Sequence, residues 1–120
     1  MPTFLLDTNI LLLHVAGIER LQVTSQTVAI SSVTVFELFR FPGLPEVELN
    51  SIREVLDLCL EIPMAHSVSR RAAEISMTRP KMKPLDVFIA ATAMVYGLPL
   101  VTKNTKDFKG VEGLILRATV

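Results

Sequence analysis

Only one cysteine, Cys59, stands in the chain, so no internal disulfide can form. It lies in a stretch of helical composition and reads as an ordinary core thiol, which fits the reducing cytoplasm. Long apolar runs are also missing, and with them any helix able to span a bilayer. The amino terminus has no basic region, and Asp7 and Asn9 break its apolar stretch, which makes it a poor signal peptide. Net charge is absent as well: 12 Lys and Arg balance 12 Asp and Glu. That argues against a nucleic-acid binder working through bulk charge. There are no repeats, no low-complexity tract and no linker. The 120 residues read as one domain, 1–120, long enough for a real core without a disulfide or structural metal.

Apolar residues, by contrast, are plentiful. They make up 50% of the sequence, and the mean hydropathy is +0.47. Surplus apolar surface on a small chain without a membrane span points to a partner or to self-association, and suits both a partner's contact and a homodimer. The cations are also unevenly spread. Arg79, Lys81 and Lys83 crowd one proline-flanked segment, and Lys103, Lys106 and Lys109 another. Positive charge is thus local even though the total cancels.

Phe4-Leu5-Leu6 reads as a short buried strand running straight into Asp7. Thr8 and Asn9 can start the helix that follows, read as Ile10 to Val15 and closed by Gly17. A second strand, Val28 to Ser31, precedes a helix from Val33 to Phe41 that Ser31, Ser32 or Thr34 can cap. Pro42-Gly43 ends that helix. The spacing predicts a longer helix over Glu46 to Leu60, with Leu49, Ile52, Leu56 and Leu60 on one side. Glu61 to Met64 suits an edge strand, where proline is tolerated. Ser67 is placed to cap a helix running to Thr78, with Ala72, Ala73 and Ile75 inward. After the loop Arg79 to Pro84, Pro84 suits the first turn of a helix reaching Tyr96. Its small residues Ala90, Ala91 and Ala93 allow close packing on a sheet. Leu98 to Val101 and Leu114 to Leu116, extendable to Val120, complete the strands. Strands alternating with helices argue for a parallel sheet covered on both faces.

Four acids stand out by position. Asp7 ends a strand, Glu37 is the only charge among Val33, Val35, Phe36, Leu38 and Phe39 of an otherwise largely apolar helix, Asp86 opens a helix before a strand, and Asp107 follows a strand. Each has a structural alternative: helix capping for Asp7, a capping box with Thr34 for Glu37, the helix dipole for Asp86 and a solvated turn for Asp107. Yet all four can reach the carboxyl edge of one parallel sheet, where open α/β folds bind ligands. Two carboxylates about 4 Å apart repel by roughly 4 kcal/mol at an effective dielectric near 20. Such a cluster must be protonated or hold a cation. His14 and His66 are isolated, so oxygen donors dominate and point to Mg²⁺ or Mn²⁺.

Taken in order, Leu6-Asp7-Thr8-Asn9, Ser32 with Glu37, Leu85-Asp86-Val87-Phe88-Ile89-Ala90-Ala91-Thr92-Ala93, and Thr102-Lys103-Asn104 through Asp107-Phe108 carry a resemblance. The chain resembles PIN-domain proteins, most closely the VapC-type toxin ribonucleases of type II toxin–antitoxin systems, along nearly its whole length. The resemblance implies a three-layer α/β/α fold with a central, mostly parallel sheet of four to five strands. It also implies Mg²⁺- or Mn²⁺-dependent endoribonuclease activity through Asp7, Glu37, Asp86 and Asp107 as catalytic and metal residues. Some relatives carry Asp where Asn104 stands, so Asn104, Asp107 or both meet the metal. Thr8, Asn9, Ser32, Thr102 and Asn104 would orient carboxylates or water. Arg79, Lys81, Lys83, Lys103 and Lys106 would neutralise RNA phosphates. A cognate VapB-like antitoxin would be the protein partner.

Two rival readings remain at this point. One is a catalytically silent PIN module that binds RNA or protein. The other is a Mg²⁺-dependent phosphatase on a similar sheet. Phosphatases that form an aspartyl-phosphate usually carry a second Asp two residues after the first, where this chain has Asn9.

Overall fold

The alternation of apolar strands and amphipathic helices closes, in a computed structural model, into a three-layer α/β/α arrangement described for residues 2–18 and 27–119. The strands are β1 (Phe4–Leu6), β2 (Val28–Ser31), β3 (Leu60–Ile62), β4 (Leu100–Val101) and β5 (Leu116–Arg117). They form one sheet in the order β3-β2-β1-β4-β5, and every pairing is parallel. The helices are α1 (Thr8–Val15), α2 (Ser32–Phe39), α3 (Glu46–Asp57), α4 (His66–Thr78), α5 (Pro84–Val95) and the single turn α6 (Thr105–Phe108).

Successive strand residues point to opposite faces, and the two cores follow that period. Leu5, Ala29 and Leu100 meet Val68, Ala72 and Ile75 of α4 and Val87, Ile89 and Ala90 of α5 on one face. Phe4, Leu6, Val28, Ile30 and Val101 meet Ile10, Leu11, Leu38, Ile52 and Val55 of α1 to α3 on the other. Strands buried on both faces are continuously apolar, as parallel sheets require. The fully buried alanines of α5 let its backbone lie close to the sheet.

The strand order sets the site. From β1 the chain steps outward through β2 to β3, then returns to β4 on the opposite side of β1. The crevice at the carboxyl ends of β1 and β4 is therefore the topological switch point, where open α/β sheets bind ligands.

Several boundaries differ from the sequence reading, each for a local reason. The first helix begins at Thr8, because Asp7 takes the N-cap position itself. Ser31 caps α2, accepting from the Val33 N–H over 3.1 Å, and that helix stops at Phe39. Leu60 belongs to edge strand β3 rather than to the end of α3, and Pro63 follows the strand's last residue. Ala65 is the N-cap of α4, so Ser67 lies inside the helix, and Val68 takes the inward place expected of Ala73, which is exposed. The stretch after β4 contains α6, and the last strand is Leu116–Arg117. Val120 lies outside the described residues.

Candidate active site at the switch point

Asp7 is fixed from three directions. Its backbone N–H donates to the Val101 carbonyl over 2.9 Å, tying the end of β1 to β4. Its Oδ1 accepts from the Thr8 N–H at 2.8 Å, and its Oδ2 accepts from the Thr102 hydroxyl at 2.7 Å. Thr102 Oγ1 in turn accepts from the Asn104 N–H at 3.0 Å. Asp7 is therefore an N-cap and more: the capping role uses one oxygen, and a residue at the end of the neighbouring strand orients the other. Burial raises its pKa; the bonds from Thr102 and Thr8 oppose the rise, and the charges of Glu37 and Asp107 add to it.

Glu37 is held by Thr8, whose hydroxyl donates to Oε1 over 2.7 Å. Thr34 Oγ1 lies 3.1 Å from the same hydroxyl. Thr34 thus faces Thr8, and the capping box considered for Thr34 and Glu37 gives way to a contact between α1 and α2. Asp86 stands in the first turn of α5 and Asp107 in that of α6. Asp86 is pushed up to about 6, chiefly by burial and then by the charges of Asp7, Asp107 and Glu37, with Lys83 opposing. The charges that raise Asp7 and Asp86 thus come from acids on other segments of the chain.

They also share one cavity of about 400 Å³, whose wall includes Asp7, Glu37, Asp86, Asp107, Thr8, Asn9 and Asn104. Thr102 sits fully buried behind Asp7. Ser32 is elsewhere: its hydroxyl donates to Glu61 Oε2 at 2.8 Å, on the β3 side, and it does not line the cavity. Arg79, Lys81, Lys83 and Lys106 line an adjoining cavity of about 260 Å³ with Asp86 and Asp107, and Lys103 lines neither. Arg40 also lines the acidic cavity, a residue the sequence reading passed over. It lies three positions after Glu37, a spacing that places both on one helix face.

Among the described residues, no three Asp, Glu, His or Cys side chains group tightly enough to cage an ion unaided. The donors on the wall are hard oxygens. One of them, Asn9 Oδ1, is buried and accepts no hydrogen bond from the protein. A buried amide oxygen of that kind has an unmet need that a hydrated cation fills.

A parallel α/β protein with an acidic, cation-suited crevice at its switch point is the class that fold and site define. The chain belongs to the PIN-domain family, whose model matches residues 4–114. It is similar to a tRNA(fMet)-specific endonuclease VapC of Shigella flexneri, with 33% identity over 95% of this chain and 96% of that protein. Among solved structures it is similar to DNA-bound VapBC from Salmonella typhimurium, with TM-score 0.85, 23% identity and 98% of each chain covered. A toxin–antitoxin complex from Klebsiella pneumoniae gives TM-score 0.76 and 27% identity over 98% of this chain and all of the other. Nucleases of this family work with a divalent metal.

Proposed function

We propose that this chain is a Mg²⁺- or Mn²⁺-dependent endoribonuclease and the toxin of a VapBC-like pair, acting as a single domain in the cytoplasm. The observation that carries this reading is the convergence of Asp7, Glu37, Asp86 and Asp107 on one cavity. The chain's 33% identity to an endonuclease VapC supports it.

Asp7 and Asp86 would hold the cation, and Glu37 and Asp107 would complete its surroundings or hold a second. The bound cation would supply positive charge to the scissile phosphate and acidify an attacking water. The protein's own part is positioning. Thr102 and the Thr8 N–H fix the Asp7 carboxylate, the Thr8 hydroxyl fixes Glu37, and Asn9 and Asn104 offer polar groups to water on the same wall. Burial and the neighbouring acids raise the Asp86 pKa to about 6, and a cation held there would favour its ionised form.

An apolar groove of about 320 Å³, lined by Leu12, Val15, Leu38, Phe41, Leu44 and Ile52 among others, shares Leu12 with the acidic cavity. It supports an antitoxin segment that covers the groove and reaches the acids. Among the described residues no helix is long and apolar enough to cross a membrane. The test is cleavage of cellular RNA by purified protein with Mn²⁺ or Mg²⁺, wild type against Asp7→Asn. Cleavage lost on chelation and in Asp7→Asn supports the reading. Unchanged cleavage by a pure, folded Asp7→Asn variant sinks it. The alternative, a silent binding module, predicts no heat in a calorimetric Mn²⁺ titration.

A further inference from the structure

Beside the acidic cavity lies a second one of opposite character. Arg79, Lys81, Lys83 and Lys106 face two carboxylates, Asp86 and Asp107, across its walls. Lys83, Asp86 and Asp107 line both cavities, so the two share a partition. The four cations take part in no salt bridge among the described residues, where the ion pairs are Arg53–Glu46 and Arg71–Glu74. Four cations against two carboxylates leave an excess of positive charge in a concave site, which is a seat for an anion.

Arg79 is the best fixed of them. Its backbone N–H donates to the Ile75 carbonyl at 2.8 Å, closing α4, and its carbonyl accepts from the Met82 N–H at 3.1 Å. Its guanidinium rests against Gly110: a β-carbon there would stand 2.6 Å from Nη1 and 3.5 Å from Cζ. Gly110 also has φ +91°, a conformation glycine adopts freely. Its Nε–H is buried and has no acceptor in the protein. A planar fork held in place, with a donor unspent, matches the paired oxygens of a phosphodiester.

We propose that this basic cavity seats an RNA phosphate flanking the scissile one, with Arg79 as its fixed donor and Gly110 as the residue that makes room for it. The inference rests on the nuclease reading, which supplies the RNA and makes the acidic cavity the place of cleavage. The shared partition then sets the register: one phosphate enters the basic cavity while its neighbour meets the acids. Lys103, expected from sequence to join this group, has no place on the wall. The cations of this cavity act on phosphate oxygens, so their contribution is to affinity and register.

The experiment measures binding of a fluorescent single-stranded RNA decamer to the Asp7→Asn protein, at fixed Mg²⁺ and varied monovalent salt. Adding Arg79→Ala is expected to weaken binding about tenfold and to flatten the log–log salt slope by about 0.7, the value for one phosphate on a single strand. Arg79→Lys should restore the slope but not the full affinity, and Gly110→Ala should weaken binding with net charge unchanged. If Gly110→Ala fails to fold, Arg79→Lys alone separates a placed fork from mere charge. A loss as large in Arg71→Ala, whose side chain lines neither cavity, would reduce the effect to bulk charge and overturn the proposal. So would an Arg79→Ala slope equal to the parent's. Inorganic phosphate binding the parent as tightly as the decamer would overturn the RNA source. Cleavage is not read in this assay. Wild type that cuts RNA while Arg79→Ala binds normally sinks the cavity alone, and an Arg79 effect without any wild-type cleavage sinks the nuclease reading.

Discussion

Thr102 donates its hydroxyl proton to Asp7 Oδ2 over 2.7 Å, across 95 residues of sequence. Neither side chain is free to turn, because Asp7 also accepts from the Thr8 N–H and Thr102 also accepts from the Asn104 N–H. Thr102→Val keeps the shape and removes the donor. It should lower stability by about 1.5–3 kcal/mol, the range for hydrogen bonds to charged groups. It should also weaken Mn²⁺ binding, because Asp7 loses its orientation. Urea denaturation and calorimetry measure the two effects, and Thr102→Ser should recover most of both.

Asp86 gives the molecule a characteristic pH dependence. Its folded pKa, about 6, lies above the ordinary carboxylate value, so the folded state holds this proton more tightly than the unfolded chain does. Burial is the main cause and the neighbouring acids add to it. Between about pH 4 and pH 6 the unfolded chain ionises first, and the cation-free protein loses stability as pH rises. Asp86→Asn removes that loss. In EDTA the variant should melt higher than wild type above pH 6, and the gap should shrink as pH falls through 6 toward 4. A gap that does not depend on pH would contradict the assignment.

Thr8 carries a different prediction. Its hydroxyl is the hydrogen-bond donor to Glu37 Oε1. Thr8→Val should leave the fold intact and reduce cation affinity or RNA cleavage roughly 10–100-fold, as loss of an orienting partner does at metal sites. Cleavage rates against Mn²⁺ concentration would show whether the loss is recovered at high metal, as a positioning role requires.

The alanines of α5 test the packing. Ala90, Ala91 and Ala93 are fully buried in the core beneath α4 and the sheet. Ala90→Leu adds volume where none is free and should cost about 1–3 kcal/mol. Its effect on cleavage should exceed that of an equally destabilising change on α3, because α5 carries Asp86.

Much of this architecture was legible from the sequence because two periodicities rarely compete here. Phe4 to Leu6 and Val28 to Ile30 are too short and too apolar to be amphipathic helices, and both are buried strands. Asp7, Asp86 and Asp107 were legible by their positions at strand and helix ends, and Glu37 as a charge among apolar residues. Less legible was everything that depends on contacts between distant segments. The sequence offers Ser32 to the site and Thr34 as a cap, but the helix phase sends Ser32 toward Glu61 and Thr34 toward Thr8. The two cations Lys103 and Lys106 look alike in sequence, yet α6, too short to show a periodicity, brings only Lys106 onto the basic cavity. Arg40 was hidden because its partner in space, the acidic wall, is assembled from elsewhere.

The placement of β1 beside β4 has a consequence for synthesis. The two strands that lead into Asp7 and Thr102 are each other's neighbours in the sheet, although nearly the whole described chain separates them. A ribosome must deliver β4 before β1 can acquire that neighbour, and long-range pairing of this kind is slow. Fragments released early would hold Asp7 without Thr102 or Asp86. The crevice between β1 and β4 is thus absent from unfinished copies and takes shape only once β4 has emerged.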